Sequence, residues 1–194
     1  MVWKDIAWLD DIGGNPDRAW ERYFRSGRYY LTTLQDCAAL STLALTANRL
    51  YATPFLVGGL SPKFIRIAFQ VTTLGTASLG RAGIYLDDGT VYPGSLILDG
   101  GEQICSTIGM KETVISQTLD PSLYWLVLVV SVACTVRCSP LASLMPILGL
   151  DTALGTAPGN GWYAAFTYTE LPATFPAGGT INVATMPTVA LMKE

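Results

Sequence analysis

Between Leu123 and Val136 the chain reads LYWLVLVVSVACTV, fourteen residues without a charge. A helix that crosses a bilayer needs about 20 such residues, and this run is too short and too rich in valine to be one. β-Branched side chains favour a strand. The run does not alternate between apolar and polar, as a half-exposed strand would. A strand of this kind is covered on both faces, so the fold must place material on either side of it. No other stretch reaches the length of a membrane-spanning helix, and membrane insertion is not expected.

The remaining pattern from Tyr29 onward is also that of a β protein. Candidate strands run from Arg49 to Val57, Phe64 to Thr73, Leu79 to Leu86, Ser95 to Leu98, Thr113 to Gln117, Trp162 to Thr169 and Thr188 to Met192. Phe64 to Val71 alternates loosely, as a strand with one wetter face does. Gly58-Gly59, Asp88-Gly89, Pro93-Gly94, Asp99-Gly100-Gly101 and Gly178-Gly179 separate the runs with turn-forming residues. Many short strands without helical spacers imply an antiparallel β-sandwich of jelly-roll type. The rhythm breaks at residues 139–160, which read as an inserted loop. Its Leu141, Leu144, Met145, Ile147, Leu148 and Leu150 need cover, and an interface between subunits of a homotrimer or another closed oligomer would supply it.

Residues 1–28 are a different material. They hold ten of the 12 Lys/Arg and 15 Asp/Glu residues, and three of the five tryptophans, Trp3, Trp8 and Trp20. Asn15-Pro16-Asp17 has the form of a helix start, with a cap, a proline at the first helical position and an acid at the positive end of the dipole. The helix runs from Pro16 to Ser26, with Gly27 as its stop. Trp20, Tyr23 and Phe24 share one face of it. A helix of about eleven residues is marginal alone in water, so this face rests on something. Either it folds back on its own domain or it docks on another protein, with Trp3, Trp8, Trp20, Tyr23 and Phe24 as the docking residues. The second reading divides the chain into an attachment segment, residues 1–28, and a β domain, residues 29–194. The start MVWKDIAWLDD has acids where a secretory signal needs a basic end.

Chemistry is constrained by what is missing. The chain has no histidine, which removes catalysis through a histidine base, and its net charge of −3 argues against nucleic-acid binding. Cys37, Cys105, Cys134 and Cys138 form no CxxC pair, so no metal site is expected and buried free thiols are the reading. On one strand Cys134 and Cys138 would stand about 13 Å apart, too far for a disulfide. Most acids beyond residue 28, including Asp87, Asp88, Asp99 and Asp120, occupy turn positions, where Asp bonds its own backbone. Asp87-Asp88-Gly89 therefore reads as a hairpin turn, with a calcium or sugar site as the competing assignment. Gly80-Arg81-Ala82-Gly83 opens no helix and marks a bulge or a close backbone approach. No catalytic residue, cofactor or enzymatic activity is expected.

Several strings in order carry a resemblance: YYL at 29–31, LTANRLYATPF at 45–55, LGRAGIY at 79–85, YPGSLILD at 92–99, KETVISQTL at 111–119 and LYWL at 123–126. Together they resemble a module of tailed-bacteriophage virion proteins, and VWKDIAWLDDI resembles the attachment peptides of phage fibres. The resemblance implies a structural virion protein, a tail fibre, head fibre or other appendage anchored to tail or head through its N-terminal segment. Its partners would be tail or capsid proteins, and it would be trimeric, located in the virion and without catalytic residues. The alternatives are a lectin-like module that recognises a host-surface glycan, with Tyr92 and Trp162 as aromatic residues able to stack on sugar or to pack internally, or a capsid decoration protein.

Overall fold

The computed structural model describes residues 24–31, 40–58, 61–139, 147–150 and 159–194. Thirteen strands succeed one another: β1 (Tyr29–Tyr30), β2 (Ser41–Ala44), β3 (Arg49–Val57), β4 (Lys63–Thr73), β5 (Leu79–Asp87), β6 (Pro93–Ile104), β7 (Gly109–Thr118), β8 (Ser122–Val130), β9 (Thr135–Ser139), β10 (Gly161–Ala165), β11 (Thr180–Asn182), β12 (Met186–Pro187) and β13 (Val189–Lys193). They form two sheets. One has the order β11-β10-β3-β8-β5-β6; the other runs β1-β13-β4-β9-β12, with β7 beside β4 and β2 beside β9. Every strand pairing is antiparallel.

The second sheet curls into a half-barrel. β4 pairs with β7 on one side, while its other side passes from β13 at Phe64–Phe69 to β9 at Val71–Thr73. Register shifts accompany the change, and such irregularities bend and twist a strand. The expected sandwich is thus present, with one sheet wrapped towards the other.

β8 lies inside the first sheet between β3 and β5. Tyr124, Leu126, Leu128 and Val130 face the other sheet and meet Phe55, Phe64, Ile67, Phe69, Ile84 and Val136. Trp125, Val127 and Val129 face the opposite way, into a second buried cluster with Leu50, Ala52 and Tyr85. The non-alternating sequence is therefore matched by cover on both sides. Each fully buried Leu or Val contributes roughly 1.5–3 kcal/mol, which makes β8 the centre of the fold. Leu171 and Phe175 supply the outer cover, with Ile147 and Leu148 packed against it. Residues 171–176 run beside β6, where Leu96 N–H donates to Ala173 O (2.9 Å) and Phe175 N–H to Gly94 O (2.9 Å).

Three expectations are corrected here. The run from Leu123 to Val136 is two strands in different sheets, β8 and β9. Ser131 breaks it: its N–H donates to Leu79 O and its hydroxyl accepts from Leu79 N–H (2.9 Å), so the chain turns across the end of the sandwich. The run from Trp162 to Thr169 ends as a strand at Ala165, because Asn48 captures the next residues. Its carbonyl accepts from Phe166 N–H and its Oδ1 from Tyr168 N–H (2.8 Å).

The third correction concerns the helix from Pro16 to Ser26. No helix occurs among the described residues: Phe24 and Arg25 are irregular, and Ser26-Gly27 is a turn. Gly27 adopts φ 72°, the left-handed conformation, and its N–H donates to Lys193 O (2.9 Å). The turn thus joins the edge strand β13 in place of capping a helix. The rest of the expected helix lies outside the described residues.

Candidate functional site

The outward face of the curled sheet carries a groove of about 140 Å³. Its floor is set by strand register. Ala68 on β4 and Ala190 on β13 are direct partners, and two methyl groups side by side leave a trough where larger side chains would fill the sheet surface. Tyr29, Leu31 and Leu40 line it, as does Met110 of β7. Gln70, Arg137 and Thr188 add polar groups to an otherwise apolar lining. The volume is close to the ~150 Å³ that accepts a benzene-sized ring in an engineered protein cavity.

Tyr29 is held in place from behind. Its hydroxyl donates to Glu112 Oε1, and Arg66 Nη1 reaches Glu112 Oε2 at 3.4 Å. Burial and then the Glu112 hydrogen bond push the Tyr29 phenol up to about 12. The ring is therefore neutral and its plane is tied to β7. This places a fixed aromatic surface beside the amide of Gln70 and the guanidinium of Arg137, all on the same face.

The sequence-predicted residues lie elsewhere. Asp87 and Asp88 form the expected turn, with both oxygens of Asp87 and Oδ1 of Asp88 engaged. Asp87 Oδ2 accepts from Gly89 N–H (2.9 Å) and Val91 N–H (3.3 Å), and Oδ1 from Trp125 Nε1–H (2.8 Å). Asp88 Oδ1 accepts from Thr90 N–H and from its hydroxyl (2.6 Å), which holds its carboxyl below the usual range. Asp99 similarly bonds Gly101 N–H, Leu171 N–H (3.0 Å) and Arg81 Nη1–H (2.9 Å), tying the outer cover to β6. Among the described residues no three His, Cys, Asp or Glu side chains gather as a metal site.

Tyr92 and Trp162 pack on each other, ring centres 4.8 Å apart. The Tyr92 hydroxyl donates to Pro176 O and accepts from Gly179 N–H, while Trp162 Nε1–H donates to Val91 O (2.8 Å). Both rings belong to the cover of the first sheet, which is the internal-packing alternative. Phe24 also turns inward, its ring 5.4 Å from Phe64 and 6.0 Å from Phe55. Trp3, Trp8, Trp20 and Tyr23 lie outside the described residues, as do Leu141, Leu144, Met145 and Cys37. Ile147 and Leu148 pack, partly buried, on the outer cluster of their own chain, whereas Leu150 is exposed.

Sequence reasoning does not assemble the groove. Its one signal is the wetter face of Phe64–Val71, which contains Arg66 and Gln70. The pairing of Ala68 with Ala190 and the approach of Tyr29 to Glu112 are products of long-range register.

No family model matches the chain, and no curated protein matches it. Among solved structures it is similar to the cysteine protease and lectin-like domains of Cwp84, a surface layer associated protein of Clostridium difficile. That match has 14% identity and a TM-score of 0.48, over 87% of this chain and 37% of the other. A second match, to clostridial Cwp84 after propeptide cleavage, has 13% identity and a TM-score of 0.48 over 87% and 41%. The present chain thus spans about two fifths of those chains. A likeness at this level assigns no activity, substrate or partner. These matches are to a bacterial surface-layer-associated protein, and the expected tailed-bacteriophage assignment is corrected accordingly. With it go the fibre role and the virion location.

Proposed function

We propose that the chain is a lectin-like binding module whose groove on the curled sheet takes one saccharide ring. The observation that carries this is the combination in that groove: a floor of two methyl groups, a fixed tyrosine ring and adjacent amide and guanidinium donors. A pyranose has an apolar C–H face and a rim of hydroxyls. The first suits Tyr29 and the alanine floor, and the second suits Gln70, Arg137 and Thr188. Small-molecule sites generally combine an apolar lining with a few convergent polar groups.

The size of the groove argues for a terminal or single sugar residue and for modest affinity from one site. Binding requires no bond to break, and the module holds its ligand without chemistry. The test is a glycan array followed by calorimetric titration of the best hit. Tyr29→Ala should weaken binding at least tenfold, and Gln70→Ala and Arg137→Ala should each weaken it several-fold, with the melting temperatures of these last two near wild type. Absence of any glycan binding at millimolar ligand, or binding unchanged in Tyr29→Ala, would overturn the proposal.

A further inference from the structure

Two of the buried thiols meet where the chain crosses between the sheets. Cys105 comes after β6 and precedes β7; Cys134 comes after β8 and precedes β9. β6 and β8 belong to one sheet and β7 and β9 to the other, so each cysteine sits on a crossover. The segment 75–79 lies between them and fixes their approach. Cys105 N–H donates to Ser78 O (2.8 Å), and Cys105 O accepts from Gly75 N–H (3.3 Å). On the other side the Ser78 hydroxyl donates to Val132 O (2.7 Å), and a side chain at Gly75 would strike Ala133 O at 2.4 Å. Both cysteines are buried in the inter-sheet core, where the Cys105 thiol donates to Gln103 O (3.8 Å), and the nearness of the two thiols shifts their ionisation in opposite directions, Cys105 up and Cys134 down.

We propose that Cys105 and Cys134 close an intramolecular disulfide under oxidising conditions, and that this bond staples the two crossovers at one end of the sandwich. The sequence spacing alone does not suggest the pair, because Cys134 looks towards Cys138. Cys134 is the thiol that ionises first, because its neighbour Cys105 lowers it while Cys105 itself is raised by Cys134 and by burial. Its thiolate attacks a low-molecular-weight disulfide such as oxidised glutathione, forming a mixed disulfide and releasing one thiolate. Cys105 then loses its proton and attacks the Cys134 sulfur, releasing the second reduced thiol. The two protein thiols give up two electrons and two protons, and the reagent disulfide takes them up.

Access comes from the crossovers themselves. Ile108 and Val132 are exposed on the chain just beside the two cysteines, and a local opening there uncovers the pair without unfolding β8. The closed loop holds about 30 residues, long enough for a crosslink to restrict the unfolded chain substantially.

The full chain is incubated in oxidised glutathione, alkylated and mapped by mass spectrometry without reductant, with melting curves recorded before and after. The expected result is a 105–134 linked peptide, two of the four thiols lost, and a melting temperature raised by several degrees and reversed by dithiothreitol. Cys105→Ser and Cys134→Ser should each abolish the rise, whereas Cys138→Ser keeps it. If either serine variant fails to fold, the wild-type peptide map still decides. The idea is overturned if both thiols remain free, if either pairs with another cysteine or stays glutathionylated, or if the link forms without raising stability.

Discussion

The indole N–H of Trp125 donates to Asp87 Oδ1 at 2.8 Å, joining the centre of β8 to the turn that ends β5. Trp125 is fully buried, so its N–H has no access to water and depends on this one carboxylate. The other oxygen of Asp87 holds the turn through Gly89 and Val91. Asp87→Ala therefore loses the turn and leaves a buried donor unpaired, for an expected cost of about 2–3 kcal/mol in urea unfolding. Asp87→Asn keeps an acceptor for Trp125 and should cost about half as much. EDTA should leave the melting temperature unchanged, because both oxygens of Asp87 and Oδ1 of Asp88 already accept protein hydrogens. A drop of more than about 3 °C on chelation, of order 1 kcal/mol, would show that the turn holds a cation.

Gly83 marks the closest approach between β5 and its cover. A Cβ there would lie 2.3 Å from Leu171 Cδ1 and 2.6 Å from Leu98 O. The leucine end can move, but the carbonyl belongs to the paired strand β6, whose register already shifts at this point. Gly83→Ala should destabilise the chain by about 2–3 kcal/mol, at the upper end of overpacking costs. Gly101→Ala is the comparison. Nothing lies near its added carbon, and the cost is confined to its positive φ of 77°, about 1–2 kcal/mol. Equal losses for the two in chemical denaturation would disprove the close-packing account of Gly83.

Tyr29 contributes to the pH dependence of the curled sheet. Its phenol is raised from 10.0 to about 12 in the folded chain, so the folded state holds the proton more tightly than the unfolded one. The contribution is complete below pH 10 and is lost as pH rises through 12. Melting temperature should therefore fall across that window, and Tyr29→Phe should flatten the part of the fall that this group causes. Absorbance titration near 295 nm should show one fewer late-titrating tyrosine in the variant. A wild-type profile superposable on that of Tyr29→Phe would remove the Glu112 hydrogen bond from the account.

Much of the strand inventory is legible in the sequence because its causes are local. Arg49–Val57 is read at its observed bounds, and the cover on both faces of β8 is implied by the loss of alternation in Leu123–Val130. Asp87 reads as a turn residue because Asp bonds backbone two residues ahead; Asp99 bonds Gly101 in the same way, but inside β6, where the expected turn is a bulge within a continuous strand. The features that escape such a reading depend on partners distant in sequence. Ser131 stops a strand by bonding Leu79, Asn48 stops another by bonding Tyr168, and β1, β2, β11 and β12 are short segments defined by the neighbours they meet. The groove belongs to this second kind: Ala68 and Ala190 are unremarkable until register sets them side by side.

Phe24 tests where the β domain begins. Its sequence context groups it with an attachment segment ending at residue 28, yet its ring lies edge-on to Tyr30 at 4.8 Å and to Phe64 at 5.4 Å. Backbone bonds reinforce the contact: Gly27 N–H donates to Lys193 O, and Lys193 N–H to Arg28 O (3.1 Å). These hydrogen bonds extend the curled sheet beyond β1, so residues 24–28 belong to the fold. A chain starting at Phe24 should therefore melt cooperatively and near the full-length value. One starting at Tyr29 should lose about 3 kcal/mol, combining a large aromatic side chain with two edge hydrogen bonds. Phe24→Ala in the full chain should account for most of that loss, about 2 kcal/mol for a half-buried ring. Equal stability of the two truncated chains, measured by urea unfolding, would return Phe24 to the attachment segment and set the domain boundary at residue 29.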